Sequence, residues 1–365
     1  MRVEYRFASQ GGDLPADSHT LDRPFLLSPG EAHPILTLRG YFDAAREFVL
    51  QSLAKIADKR APDRLIIRSE KHGALYHVAS VEIFFKEKSR KLALSTALSN
   101  RGKACLNQEE ILLRQLEERC HLPYLPRVYL KGEVSAGEQV VLSMLMTEWF
   151  EDYHEWHLAA DQTHDICIWD QKRGNRLASE KETFGIYKES SKILTLYYDL
   201  KTFRQIRPWH HAAGDFVVNS DNEKLRVRLT TVRGYEPLQF LSYDEPLNPV
   251  IGLVYFFLDL STKMRLDRTE GTGEVIWADD FCLRPIGEGF LHALRILAGQ
   301  GRYPLRDPEE LIRLLKAFSE EEMTSLFRPL LAFYEQVDDG DFSVIQANLE
   351  NHADSLGRII RKFPE

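Results

Sequence analysis

Two periodicities divide this sequence, and their order constrains the fold more than any single motif. Strand-type alternation dominates residues 63–147, and helical spacing dominates from residue 249 onward. Residues 63–70 carry Leu65, Ile66 and Ile67. Residues 76–85 alternate through His77, Ala79, Val81 and Ile83, and residues 91–98 read as a third strand. Lys71-His72-Gly73 is a turn signal, so these three predict an antiparallel meander. Before them, residues 40–57 place Phe42, Ala45, Phe48, Val49, Leu53 and Ile56 on one helical face. After them, Asn107 with Glu110 three residues on reads as a capped helix start, predicting a helix over 107–120, and Pro123 and Pro126 close it. Residues 127–130 and 140–147 complete the strand-rich part. Residues 182–200 read as a helix and 225–232 as a strand. Helices are then expected over 249–264, 286–299, 308–318, 320–338 and 342–362. A β-rich half followed by a helical half is an α+β, two-lobed arrangement. The N-terminal lobe spans 1–147 and the mainly helical C-terminal lobe 148–365.

The 365 residues suffice for two cores, and 44% apolar with 28% charged residues is the balance of a soluble globular protein. A net charge of -8 argues against non-specific nucleic-acid binding, which needs clustered cations. Lys86, Lys88, Arg90 and Lys91 do lie close together, in what reads as a solvated hairpin turn. The apolar run Val250–Leu258 is far short of a membrane span. Cys105, Cys120, Cys167 and Cys282 share no zinc or redox spacing, and the first residues lack an apolar signal core. A reducing, cytoplasmic setting is therefore expected, with a small molecule rather than nucleic acid or membrane as partner. Nothing in these patterns sets an oligomeric state.

The stretch Arg207-Pro-Trp-His-His-Ala-Ala-Gly-Asp215-Phe-Val-Val-Asn219 packs a Pro, a Trp, two His, a Gly and an Asp into one turn between a helix pattern and a strand pattern. Reactive side chains are often presented on a loop held by rigid elements. This stretch resembles the catalytic loop of aminoglycoside phosphotransferases, where a His-Gly-Asp-Phe/Leu run occupies the same place. Gly214-Asp215-Phe216 matches, and the His is displaced to His210 and His211. Other patterns follow in the family's order. Glu109-Glu-Ile-Leu-Leu-Arg-Gln-Leu116 resembles the N-lobe helix, and His121-Leu-Pro-Tyr-Leu-Pro-Arg-Val128 the segment leading into the next strand. Leu145-Met-Thr-Glu-Trp-Phe150 resembles the hinge strand whose backbone meets adenine, which here involves Glu148 and Phe150. The resemblance covers residues 63–300.

It implies a two-lobed, protein-kinase-like fold and phosphoryl transfer from ATP to a small-molecule hydroxyl, with Mg2+ as the charge-neutralising ion. By resemblance, Asp215 with His211 would be catalytic, and Glu109 would orient a phosphate-binding lysine. The metal-binding Asn falls on Ser220 by spacing, with Asn219 and Asn222 as the nearest amides. Lys71-His72-Gly73 would cover the phosphates. Two departures stand out. The third strand has no lysine at its middle, so Lys91 at its start or Lys103 after it must substitute. The strand after the loop lacks the second metal-binding Asp and carries Thr230, Thr231 and Arg233 instead. Either the metal is held differently, or the chain is a degenerate, non-catalytic kinase relative that keeps a binding site.

The residues also support a different chemistry. Asp152, His154, His157 and His164 lie close in sequence, and a helix would put His154 and His157 on one face, as a metal-dependent hydrolase requires. Residues 266–281, rich in turn residues and aromatics, read as a connection that could wall a substrate cleft with Trp277 and Asp279.

Overall fold

The structure is a computed structural model. It describes residues 1–364 apart from 10–11, 29–30, 57–61, 74, 87, 160–161, 171–172, 211–213, 221–223, 242–247, 272, 304–306 and 338–339; of residues 28, 54–56, 162–164 and 270 it describes the backbone alone. The chain forms two compact units, Met1–Asp152 with Gln171–Gly174, and Tyr153–Asp170 with Asn175–Glu365. The first is mostly sheet and the second mixed and mainly helical, so the protein is α+β.

The first unit opens with β1 (Arg2–Phe7), β2 (Leu14–Pro15), a single helical turn α1 (Ser18–Leu21), and the hairpin β3 (Pro24–Ser28) and β4 (Glu31–Thr37). Then come α2 (Leu38–Ile56), β5 (Arg64–His72), β6 (His77–Phe85), β7 (Lys88–Ala97), α3 (Asn100–Cys120), β8 (Val128–Ala136) and β9 (Val140–Glu148). The sheet order is β2-β1-β5-β6-β7-β9-β8. The expected meander is present as β5, β6 and β7, paired antiparallel from Leu65↔Ile83 and Val81↔Leu92 outward. Alternate residues Leu65, Ile67, Val81, Ile83, Leu92, Leu94, Leu142 and Met144 point to one buried face. The face of α2 read from the sequence supplies Phe42, Phe48 and Val49 to that same core. The strand-and-loop entry read for the first forty residues opens on β1, where Val3, Tyr5 and Phe7 alternate with charged residues, and β1 pairs parallel with β5, Val3 opposite Leu65.

The helix expected over 107–120 begins seven residues earlier. Ser99 caps α3, its Oγ accepting from the Gly102 N–H at 3.0 Å. Asn107 lies inside the helix and accepts from Lys131 Nζ at 2.6 Å. Gly102 falls in the first turn. It is glycine because a Cβ there would stand 2.3 Å from the Leu75 carbonyl oxygen.

His77 on β6 is 6% exposed, with Ser69 Oγ 3.1 Å from its Nε2 and the Phe25 and Tyr41 rings edge-on to it. Burial, with a small contribution from His72, holds its pKa down at about 3. The folded unit therefore binds one proton fewer than the unfolded chain below pH 6.5, so stability falls as the pH falls. Between pH 6.5 and 5 this costs roughly 2 kcal/mol. Hydrogen exchange of the β5–β7 amides should show that slope in the wild type and lose it in His77→Gln; an unchanged slope in the variant would refute the assignment.

The second unit begins with β10 (His154–Ala159), β11 (Gln162–Trp169), β12 (Arg176–Leu177) and α4 (Glu180–Tyr197). It continues with β13 (Gln205–Ile206), β14 (Phe216–Asn219), β15 (Arg226–Leu229), β16 (Tyr235–Glu236) and α5 (Pro249–Lys263). A hairpin follows where only a connection was expected: β17 (Leu266–Arg268) and β18 (Val275–Trp277). The chain ends with α6 (Leu283–Gly299), α7 (Glu309–Ala317), α8 (Glu320–Leu326), α9 (Arg328–Val337) and α10 (Phe342–Arg361). One sheet runs β12-β11-β10-β14-β15. The single helix expected over 320–338 is two, because Pro329 lacks an N–H for the helical ladder and is tolerated only in the first turn of a new helix. Among the described residues no helix is long and apolar enough to cross a membrane.

α4 starts with a complete capping box, Ser179 with Glu182, and crosses α6 closely. Ser191 Oγ donates to the Ile286 carbonyl at 2.6 Å. At Gly289 a Cβ would stand 2.1 Å from the Lys188 carbonyl oxygen, which is backbone and cannot swing away. Gly289→Ala should therefore destabilise this unit by about 1–3 kcal/mol, the usual cost of overpacking. Urea unfolding followed by tryptophan fluorescence would measure it, and a wild-type midpoint would show that the two helices can part freely.

Candidate functional site

The loop singled out in the sequence joins β13 to β14. Pairing of Ile206 with Tyr235 places Arg207 beside Gly234, and the Arg207 N–H donates to the Gly234 carbonyl at 3.0 Å. Gly234 has no alternative here, since a Cβ would sit 2.3 Å from the Arg207 carbonyl oxygen. The Arg207–Pro208 peptide is cis, Trp209 packs edge-on against Phe216, and Gly214 takes φ +70° just before Asp215. Together these bring Arg233 to the loop.

Asp215 is 1% exposed. Arg233 grips its carboxylate with two parallel bonds, Nη2 to Oδ1 and Nη1 to Oδ2, each 2.6 Å. The His210 N–H donates to Oδ2 at 2.8 Å. Behind it, the Asp215 carbonyl accepts from the Thr230 N–H at 2.7 Å. The carboxylate is thus a hub that closes the loop. Both oxygens accept bonds, one of them two, and the fork-on-fork geometry is among the strongest polar contacts available. A general base must reach the proton it abstracts; here the reach is taken up by Arg233.

Asn219 ends β14, 3% exposed, and its Oδ1 accepts from Arg226 Nη2 at 3.1 Å. Thr230 and Thr231 stand where a second metal carboxylate would be needed. A guanidinium on each of Asp215 and Asn219, with no carboxylate at Thr230 or Thr231, is not a donor set for a hard dication. The residues present do not make the magnesium site that the resemblance implies. His211 and Asn222 lie outside the described residues.

In the first unit, Lys91 lies 4.4 Å over the Trp149 ring and 3.9 Å from Glu151. Glu109 is buried in α3 and accepts from the Tyr76 hydroxyl at 2.8 Å. Lys103 is half-buried on α3, and among the described residues no ion pair joins Glu109 to Lys103 or to Lys91, which lies by Glu151. Glu148 closes β9, exchanging bonds with the Arg127 backbone, and Phe150 follows half-buried. The structure thus brings Lys91 to the Trp149–Glu151 corner and leaves Glu109 with Tyr76.

The histidine pair needed for a hydrolase does not form. Residues 154–159 are a strand, so His154 and His157, three apart, point to opposite faces. His154 lies 3.6 Å from Asp170, while His157 is buried with Nδ1 3.3 Å from Asp267. The side chain of His164 is outside the described residues. No cluster of three or more His, Cys, Asp or Glu among the described residues could hold a metal ion. Trp277 stacks on Arg265 at 4.8 Å and meets the His352 ring edge-on. Asp279 is exposed, preceding a short 3-10 turn.

Several charged residues the sequence reading passed over surround a cavity of about 540 Å³ in this unit. It is bounded by Arg207–His210 of the loop, by Asp259 and Lys263 of α5, and by residues of α9 and α10. Asp259 accepts from the Tyr334 hydroxyl at 2.8 Å and from Gln205 Nε2 at 3.2 Å. Lys263 and Arg268 both reach Asp341, at 2.7 and 3.4 Å. Burial alone would raise the Asp341 carboxyl; Lys263, with His210 and Arg268, outweighs it and holds it below the usual carboxylate range. No local motif marks this cluster, because its members come from five separated segments.

No protein-family model matches the chain, and no curated protein matches it. Among solved structures, "WaaP in complex with acyl carrier protein" matches with 8% identity over 78% of this chain and 87% of that one, at a TM-score of 0.29. At that score the likeness settles neither the fold nor any activity.

Proposed function

We propose that this chain is a kinase-related protein whose phosphoryl-transfer loop has become a structural hub, and that it binds a ligand without transferring phosphate. The order of elements supports the kinase relationship: a sheet with a helix between its third and fourth long strands, then a loop bearing Gly214-Asp215-Phe216 in front of a hairpin. The observation that carries the loss of turnover is the Arg233 clamp on Asp215. A buried carboxylate that already accepts three N–H bonds, two of them from a guanidinium, keeps at most one lone pair for an incoming hydroxyl, and phosphoryl transfer is mostly positioning and charge neutralisation. With Arg226 on Asn219 and threonines at 230 and 231, the charges that would hold magnesium are replaced by groups that repel it or bind it weakly.

The test is calorimetric titration of ATP with and without Mg2+ into wild type and Asp215→Asn, alongside phosphate release. The expected result is no magnesium-dependent binding and no release, with Asp215→Asn lowering the unfolding midpoint. Magnesium-dependent ATP binding that Asp215→Asn weakens would overturn the proposal and establish a working phosphotransferase.

A further inference from the structure

Arg207 is the unusual member of the cavity lining. Its side chain is only 13% exposed, yet its guanidinium makes no hydrogen bond among the described residues, and Nη1 is buried without an acceptor. Its nearest carboxylate oxygen, Asp259 Oδ1, is 3.8 Å from Nη2, beyond hydrogen-bond reach. Asp259 cannot swing over to close that gap, because Tyr334 and Gln205 hold its two oxygens. One face of the guanidinium lies on the Phe333 ring, 4.6 Å from its centroid. The planar fork is therefore fixed in place by stacking while its N–H edge stays unused. Buried polar groups are almost always bonded, and an unused guanidinium edge beside a cavity is the exception that calls for an acceptor. A fixed guanidinium fork matches a carboxylate or a phosphate.

The rest of the lining limits what carries that acceptor. Lys263 and Arg268 share the carboxylate of Asp341, and Glu236 of the same lining offsets the charge left over, so the unused edge of Arg207 is the feature that selects an anion. Phe333, Val337, Phe342 and Ile345 give the cavity an apolar wall. Its volume is that of a small-molecule site. We infer that this cavity binds a small molecule with a carboxylate or phosphate head seated on the Arg207 fork and an apolar body against Phe333 and Ile345. The assignment stands whether or not the loop transfers phosphate. ATP turnover would overturn the reading above and leave this site untouched, and failure of the probes below would remove the site and leave that reading standing.

The experiment is calorimetric titration of the full chain, without nucleotide, with phenyl phosphate, 4-phenylbutyrate and inorganic phosphate. Binding of phenyl phosphate or 4-phenylbutyrate at millimolar concentration or better is expected, and whichever binds tighter identifies the head group. Inorganic phosphate should bind more weakly, lacking the apolar body. Arg207→Gln should weaken binding about tenfold or more, the effect of losing a charge-assisted pair of bonds. Val337 is 44% exposed on the cavity rim, so Val337→Glu will fold even where Arg207→Gln does not, and its added carboxylate should weaken binding several-fold. No heat from any of the three probes, or binding that Val337→Glu and a folded Arg207→Gln leave unchanged, would overturn the site.

Discussion

Replacing Arg233 by Leu should destabilise the C-terminal unit by about 3–5 kcal/mol, the usual cost of leaving a buried charge without its partner. Asp215 is 1% exposed, and among the described residues its one cationic neighbour within bonding distance is Arg233, at 2.6 Å through both oxygens. Without it, the His210 N–H at 2.8 Å is the remaining donor to that carboxylate among the described residues, and the charge is uncompensated. Of the five tryptophans, all but Trp149 lie in the C-terminal unit, and Trp209 is on the loop itself, so fluorescence during urea unfolding reports on this unit. The double variant Asp215→Asn/Arg233→Leu removes both charges and keeps an acceptor for His210. It should recover most of the loss, because removing a pair together is far less harmful than orphaning one member. If Arg233→Leu unfolds like the wild type, or the double variant loses more than the single one, Asp215 is not a hub. A catalytic Asp215 held in readiness would also give a different pattern: little change in stability and a changed ATP response.

The second large effect is expected at Asp267, which no motif marked. It is fully buried in β17 and ties that hairpin to β10. Oδ2 accepts from the Leu158 N–H at 2.5 Å, and Oδ1 from the Arg268 N–H at 2.7 Å and from His157 Nδ1 at 3.3 Å. Asp267→Ala leaves buried donors without acceptors, each worth about 1–3 kcal/mol, so a loss of about 3–5 kcal/mol is expected. Asp267→Asn keeps one acceptor oxygen and should fall between. Linkage gives a second readout. Burial pushes the His157 pKa down, but the carboxylates of Asp267, at 3.3 Å, and Glu155, at 4.0 Å, outweigh burial and raise it above 6.5. A raised folded value means that His157 contributes fully below pH 6.5 and that the contribution is lost as the pH rises through the folded value. The wild type should lose this increment on going above pH 6.5, and Asp267→Ala should not. Equal slopes in the two proteins would rule out the His157–Asp267 pair as the titrating element.

What could be read from the sequence is what depends on neighbours along the chain. The buried face of α2, the strands of the β5–β7 meander and the helices α5 and α10 each follow from apolar spacing within a short window, and hydrophobic burial enforces that spacing wherever the element packs. The loop around Asp215 was visible for the same reason, being dense in turn residues and bounded by regular patterns. Partners distant in sequence were not visible. In β1, Val3, Tyr5 and Phe7 alternate with Arg2, Glu4 and Arg6, but its parallel partner β5, about sixty residues on, cannot be read from Arg2–Phe7. The start of α3 was misplaced at Asn107, because the close approach of the Leu75 carbonyl to Gly102 in its first turn is invisible along the chain. The strand at His154–Ala159, which separates two histidines a helix would have paired, is set by its ladders to β11 and β14. Asp215 suggested a base from its local company, and only the hairpin that returns Arg233 to it eighteen residues later makes it a clamp. Local periodicity thus fixed which segments become helices and strands. The role of each charged side chain was decided by which opposite charge the tertiary fold delivers to it, because a buried ion is stable only with its partner.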